Sequence, residues 1–197
     1  MNPHRPCAPL AMLALLAAVT IPNHAAAAAG WRLLEDVGGV RVEMRPTASE
    51  LYTFRGTTVV AAGLYDVLAV LDDINRHCEW TERCGASRIL RSVDDTSRLI
   101  YNRTDSPWPA ADRDVVLLSK VEGAGSRERV YIAFREVKSA RMPVTDGVVR
   151  MPRLRGHYLL ERVDVGHTRV EVQMQVDVGG WIPDWMSRRL NRTIPLD

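Results

Sequence analysis

Thr168-Arg169-Val170-Glu171-Val172-Gln173-Met174-Gln175-Val176-Asp177-Val178 alternates without a break: Val170, Val172, Met174 and Val176 on one side, Glu171, Gln173, Gln175 and Asp177 on the other. A period of two is the side-chain repeat of an extended strand. One apolar face opposite one polar face is the pattern of an antiparallel sheet wetted on a single side. The same texture runs back almost to Ser87. Arg88 to Val93, Arg98 to Thr104, Asp114 to Val121, Arg129 to Val137, Val148 to Met151 and Tyr158 to Val163 all read as strands. Turn-forming clusters such as Asp94-Asp95, Glu122-Gly123-Ala124-Gly125 and Asp164-Val165-Gly166 separate them.

Upstream of this block, Val40, Val42 and Met44 alternate with Arg41, Glu43 and Arg45 until Pro46, and Leu51 to Val60 makes a second strand. Trp31 to Asp36 reads as a short helical lead-in, punctuated by Gly38-Gly39. Between Gly63 and Ile74 the period changes: Leu64, Val67, Leu68, Leu71 and Ile74 recur at the spacing of an amphipathic helix of about three turns. Downstream of Gly179-Gly180, Pro183 suits the first turn of a helix on which Ile182, Trp185, Met186 and Leu190 share a face, with Arg188, Arg189 and Arg192 near its end. The order is strand, strand, helix, many antiparallel strands, helix. This is an α+β chain in which helix and apolar sheet face must cover each other. A long antiparallel sheet strongly curved around a C-terminal helix encloses an internal space, and periodicity does not tell whether that space is packed or hollow.

The N-terminus has the three-part order of a cleaved signal peptide: a short start with Arg5, an apolar run from Ala8 to Ile21, and small residues from Ala25 to Ala29. The run is shorter than the roughly 20 residues that span a bilayer. Residues 1–29 are therefore expected to be removed, leaving one domain from 30 to 197 in the periplasm or secreted. The net charge of +2 gives no whole-protein field to attract nucleic acid. Cys78 and Cys84 remain in the mature chain, and an even count in an oxidising compartment favours a disulfide between them. Two free thiols, or a metal pair with His77, are the alternatives, and the spacing fits no familiar zinc pattern.

Five stretches in the right order resemble the START family of lipid-transfer domains. They are Trp31 with Gly39-Val40-Arg41-Val42; Val67 to Asp73 leading to Trp80; Ser106-Pro107-Trp108-Pro109 followed by Asp112-Arg113-Asp114; Val149-Arg150 with Gly156 and Tyr158; and Asp177-Val178-Gly179-Gly180-Trp181-Ile182-Pro183-Asp184-Trp185. The resemblance implies a helix-grip fold, a tunnel beneath the C-terminal helix, a single bound lipid, no cofactor, and gating by that helix and an adjacent loop. There are departures. The position that matches a cavity arginine of cholesterol-binding relatives is Ser119, so a sterol does not carry over. The family's Gly-x-Trp is Gly156-His157-Tyr158, and the chain ends at Asp197, where relatives usually continue the helix.

Within that frame the candidate ligand-binding residues are Tyr101, Arg103, Arg113, Asp114, Val115, Leu117, Tyr131, Val172, Met174, Trp185 and Met186. Arg113 and Asp114 form either a structural ion pair or one that orients a head group. Tyr101 and Arg103 share a strand face, so both line the cavity or neither does. Val115, Leu117, Tyr131, Ala133, Val172 and Met174 face inward, or their alternate neighbours do. Trp181, Trp185, Arg188 and Arg189 are candidates for contact with an anionic membrane, since aromatic residues favour the interface and a basic helix end is drawn to acidic head groups. His77, His157 and His167 sit in no recognisable triad, and no nucleophile elbow or phosphate-binding glycine loop is present. Binding of a hydrophobic molecule without chemistry is the reading. The alternatives are an enzyme of the wider helix-grip superfamily working through Arg103, Arg113 and Asp114, and an interaction platform with a filled interior.

Overall fold

The computed structural model describes residues 30–47 and 51–182. The expected signal peptide and the expected C-terminal helix, with Trp185, Met186, Arg188 and Arg189, lie outside the described residues. Ten strands form one sheet: β1 (Arg32–Val37), β2 (Val40–Pro46), β3 (Tyr52–Val60), β4 (Cys84–Ser92), β5 (Ser97–Thr104), β6 (Asp112–Glu122), β7 (Arg129–Glu136), β8 (Val148–Arg150), β9 (Arg153–Arg162) and β10 (Thr168–Asp177). Their order across the sheet is β1-β2-β3-β10-β9-β7-β6-β5-β4. Every pairing along this path is antiparallel, and β8 alone pairs parallel, on β6. Helix α1 (Leu64–Asp72) and a 3-10 helix (Ile74–Glu79) fill the gap between β3 and β4.

The lead-in expected to be helical is a strand. Val37 pairs with Val40 across Gly38-Gly39, and both glycines have positive φ, +59° and +81°. Two consecutive left-handed residues make the hairpin turn whose twist suits antiparallel strands, and glycine reaches it without steric cost. The turn therefore imposes the strand state on residues with no strong preference of their own. Two strands also begin earlier than the hydrophobic pattern shows, β4 at Cys84 and β9 at Arg153.

One face of the sheet is covered by α1. Leu64 packs in a buried cluster with Val130, Ile132 and Leu160, and Val67, Leu68 and Leu71 pack against it. Removing such side chains from water contributes about 2 kcal/mol each. Arg98 of β5 ties down the helix end, donating to the Asp72 carbonyl oxygen at 3.1 Å and pairing with the Asp72 carboxylate. Gly156 in β9 has no room for a side chain: a Cβ there would lie 2.0 Å from the Gln173 carbonyl oxygen. A missing side chain in mid-strand permits the close approach that a tightly curling sheet needs.

Strand β6 breaks the alternation of burial, with Arg113 to Leu117 all buried. Both of its faces are covered here: one looks into the interior, and the segment from Val137 to Pro152 lies over the other.

Candidate functional site

The curled sheet does not pack solid. A cavity of about 220 Å³ lies between its inner face, α1 and the 3-10 helix. Ile100, Val115, Leu117, Ile132, Phe134 and Met174 are among the apolar residues of its wall. Their register explains the convergence. Ile100 lies opposite Leu117, Phe134 opposite Ser119, and Met174 opposite Gly156, so side chains of the same parity on successive strands meet on one face. Leu71, Ile74, His77, Trp80 and Thr81 close the space from the helical side.

A few polar groups interrupt the apolar wall. Asn102 accepts a hydrogen bond from Ser87 at 2.9 Å, and Thr104 and Ser119 stand on the same inner face. The His77 Nε2 lies 3.2 Å from the Thr81 hydroxyl, and its ring meets Trp80 edge-on at 4.5 Å. Burial holds the His77 imidazolium below its ordinary range, so the ring is neutral at pH 7. Burial also pushes the Tyr158 hydroxyl up, although part of its side chain is accessible. Tyr158 belongs to the cavity wall, so its accessible part faces that space. Among the described residues no group of three or more His, Cys, Asp or Glu is placed to hold a metal ion.

Of the residues singled out in the sequence, Val115, Leu117 and Met174 line the cavity directly. Val172 lies opposite Tyr158 on the same face. Tyr131 does not: the parity of β7 sends Ile132 and Phe134 inward, and Tyr131 stacks on His157 at 4.7 Å on the outer side. Tyr101 and Arg103 do not behave alike. Tyr101 is buried on the outer face beneath Arg88, whereas Arg103 is partly exposed at the cavity's edge and paired with Asp112. Arg103 sits near the end of β5, where a long side chain spans the edge that a mid-strand tyrosine cannot.

Arg113 and Asp114 are not an ion pair. Adjacent strand residues point to opposite faces, so the two are turned away from each other. Asp114 is fully buried on the outer side, where Arg150 grips it with two hydrogen bonds of 2.6 and 2.9 Å. Arg113, 4% exposed, donates to Ser106 and the Ala111 carbonyl on one side, and to the Gly179 and Trp181 carbonyls at 3.3 and 3.0 Å on the other. It ties the β5–β6 loop to the segment after β10. Each carries a conspicuous tryptophan, Trp108 at 90% exposure and Trp181 at 67%. The role of Arg113 was not readable in the sequence, because its partners are backbone carbonyls brought in from 66 and 68 residues away.

Cys78 and Cys84 are bonded to each other, joining the 3-10 helix to the first residue of β4. Cys84 and His77 both line the cavity, so the bond fixes part of its wall.

An antiparallel sheet curled round an apolar hollow, with a helix over the open face, defines the class of the helix-grip domains. A family model described as START domain matches residues 15–196, and the chain belongs to that family, whose members bind hydrophobic ligands. A STAR-related lipid transfer protein from Xanthomonas axonopodis is 32% identical, with a TM-score of 0.75 over 85% of this chain and 93% of that one. Human StAR-related lipid transfer protein 5 shares the fold at 21% identity and a TM-score of 0.74, over 85% of this chain and 82% of that one. An uncharacterized protein from Pseudomonas aeruginosa is 29% identical over 189 residues, 95% of this chain and 92% of its own.

Proposed function

We propose that the protein takes one lipid or other hydrophobic small molecule into this cavity and acts outside the cytoplasm, in the periplasm, as a carrier or sensor and not as an enzyme. The observation that carries the reading is the cavity itself, an apolar hollow with a small number of polar groups, which is how sites for greasy ligands are generally built. Family membership and the lipid-transfer title of the Xanthomonas relative support it. The signal-like N-terminus and a cysteine pair bonded to each other support an oxidising compartment.

Apolar burial at roughly 25 cal/mol per Å² supplies most of the affinity in this reading. Ligand-contact roles fall to Val115, Leu117 and Met174 for the chain, and to Asn102, Thr104 and His77 for a polar group. The gate is the β5–β6 loop with the C-terminal segment. Trp181, Trp185, Arg188 and Arg189, joined now by Trp108, would touch an anionic membrane when it opens. Native mass spectrometry of protein purified from a periplasmic extract tests the proposal. A discrete added mass that extracts into organic solvent is expected. An apo mass, together with no uptake of offered lipids, overturns it.

An enzymatic reading finds one specific support: the fold is shared, at a TM-score of 0.52 and 15% identity, with an aromatase/cyclase from Streptomyces. That likeness is one of fold. The polar trio that catalysis would have used is dispersed, with Asp114 behind the sheet and Arg113 bound to carbonyls.

A further inference from the structure

The cavity has a larger neighbour on the other side of its wall. Strand β6 pairs with β7 only from Leu117 to Glu122; below that point β8 takes β7's place, covering Asp112 to Asp114. Where the two partners change, the sheet splits. A chamber of about 660 Å³, partly open to solvent, lies beside the split, between the segment from Lys138 to Val144 and a floor of Val116 and Val137. Val115 and Met151 belong to the linings of both spaces, so these two side chains form the partition between them.

Met151 is a weak partition. It follows the last residue of β8 and is held at its backbone by one hydrogen bond, to the Asp114 carbonyl at 2.9 Å. Its unbranched thioether has three rotatable bonds and adapts readily to a changed neighbour. The roof is more firmly fixed, because Arg150 donates to the Met142 and Pro143 carbonyls while gripping Asp114. A fixed roof over a movable partition describes a permanent side room.

The cavity alone, at about 220 Å³, falls short of the ~300–1,000 Å³ of ordinary ligand pockets, whereas joined to the chamber it falls within that range. We infer that the chamber under residues 138–144 is an annex of the ligand site, into which the far end of a long hydrocarbon chain passes by displacing Met151, so that Met151 sets the chain length the protein accepts. The inference rests on the proposed binding of a hydrophobic ligand and adds where its chain goes.

The test is displacement of a fluorescent probe from the full chain by decanol, tetradecanol and octadecanol. Two variants are compared with wild type: Met151→Trp, which stiffens the partition, and Ala140→Trp, which fills the chamber from its exposed roof without touching the cavity wall. Each methylene withdrawn from water adds roughly a factor of four in affinity. Ala140→Trp is expected to leave decanol binding unchanged, and both variants are expected to weaken octadecanol binding by about tenfold or more. If the folded Ala140→Trp protein keeps the wild-type profile across the three alcohols, the annex is overturned and the cavity reading stands. If wild type takes up none of the alcohols, the cavity reading falls and the annex with it.

Discussion

Asp114 carries no solvent-accessible surface, and its carboxylate is satisfied by Arg150 with Tyr101 beside it. Removing one member of a buried pair strands the other, at about 3 kcal/mol, and the remaining exposure of Arg150 lowers that figure toward about 2. Asp114→Ala should therefore lower the denaturation midpoint clearly while leaving the affinity of the folded protein for a short ligand such as decanol unchanged, because the pair lies outside the cavity wall. Denaturant titration beside a binding isotherm checks both halves. His77 acts in the opposite place, inside the wall. Its folded pKa lies below the ordinary 6.5, so the unfolded chain binds the proton more readily, and stability is lost as pH falls from about 6.5 toward the depressed folded value. His157, also held low by burial and partly offset by Glu171, adds to the same trend. Urea midpoints at neutral and mildly acid pH should draw closer in His77→Gln than in wild type.

Among the elements, β9 and the 3-10 helix carry the sharpest constraints. Gly156→Ala places a methyl group against the β10 backbone, where the Gln173 carbonyl and the Met174 Cα leave no space. Such a clash with backbone should cost about 2 kcal/mol or more, read as a lower thermal midpoint. The Cys78–Cys84 bond closes a short loop, six residues in sequence separation, and a loop of that length is worth about 2 kcal/mol in chain entropy. A Cys78→Ser, Cys84→Ser double variant should melt several degrees lower. It should also release ligand faster, because the 3-10 helix carries Ile74 and His77 of the wall. A release rate equal to wild type would show that the bond serves stability alone.

For the whole molecule, occupancy and stability are linked. A ligand that binds only the folded state stabilises it by about 2.7 kcal/mol when present at a hundred times its dissociation constant. A chain of this size should then melt roughly 5 to 10 °C higher in the presence of an accepted lipid. A thermal scan against a panel of lipids would rank them, and no shift with any of them would count against a ligand-filled interior. The two exposed tryptophans, Trp108 in the loop and Trp181 after β10, make a second whole-molecule expectation: under the proposed membrane docking, Trp108→Ala should slow transfer from anionic vesicles without changing affinity for free ligand.

The sequence by itself determined the elements and their class. Strict alternation in β10, the shift to a helical period at Leu64, and glycine or acidic turns between runs are local signals, because side-chain direction is set by backbone geometry one residue at a time. Five motifs in order were enough to point to the family. Tertiary structure alone decided the rest. Parity within a strand says that Tyr131 and Ile132 oppose each other but not which looks inward; that choice is made by the register between strands and the helix that covers one face. The strand state of Arg32–Val37 came from pairing across a glycine turn and not from its own residues. Arg113 and Asp114 found partners far along the chain, at Trp181 and Arg150, because contacts over such separations exist only once the sheet has curled. The hollow itself belongs to this second group. Whether apolar faces meet or stop short of each other depends on the curvature of the sheet, to which Gly156 and the split beside β8 contribute and which no period along the chain encodes.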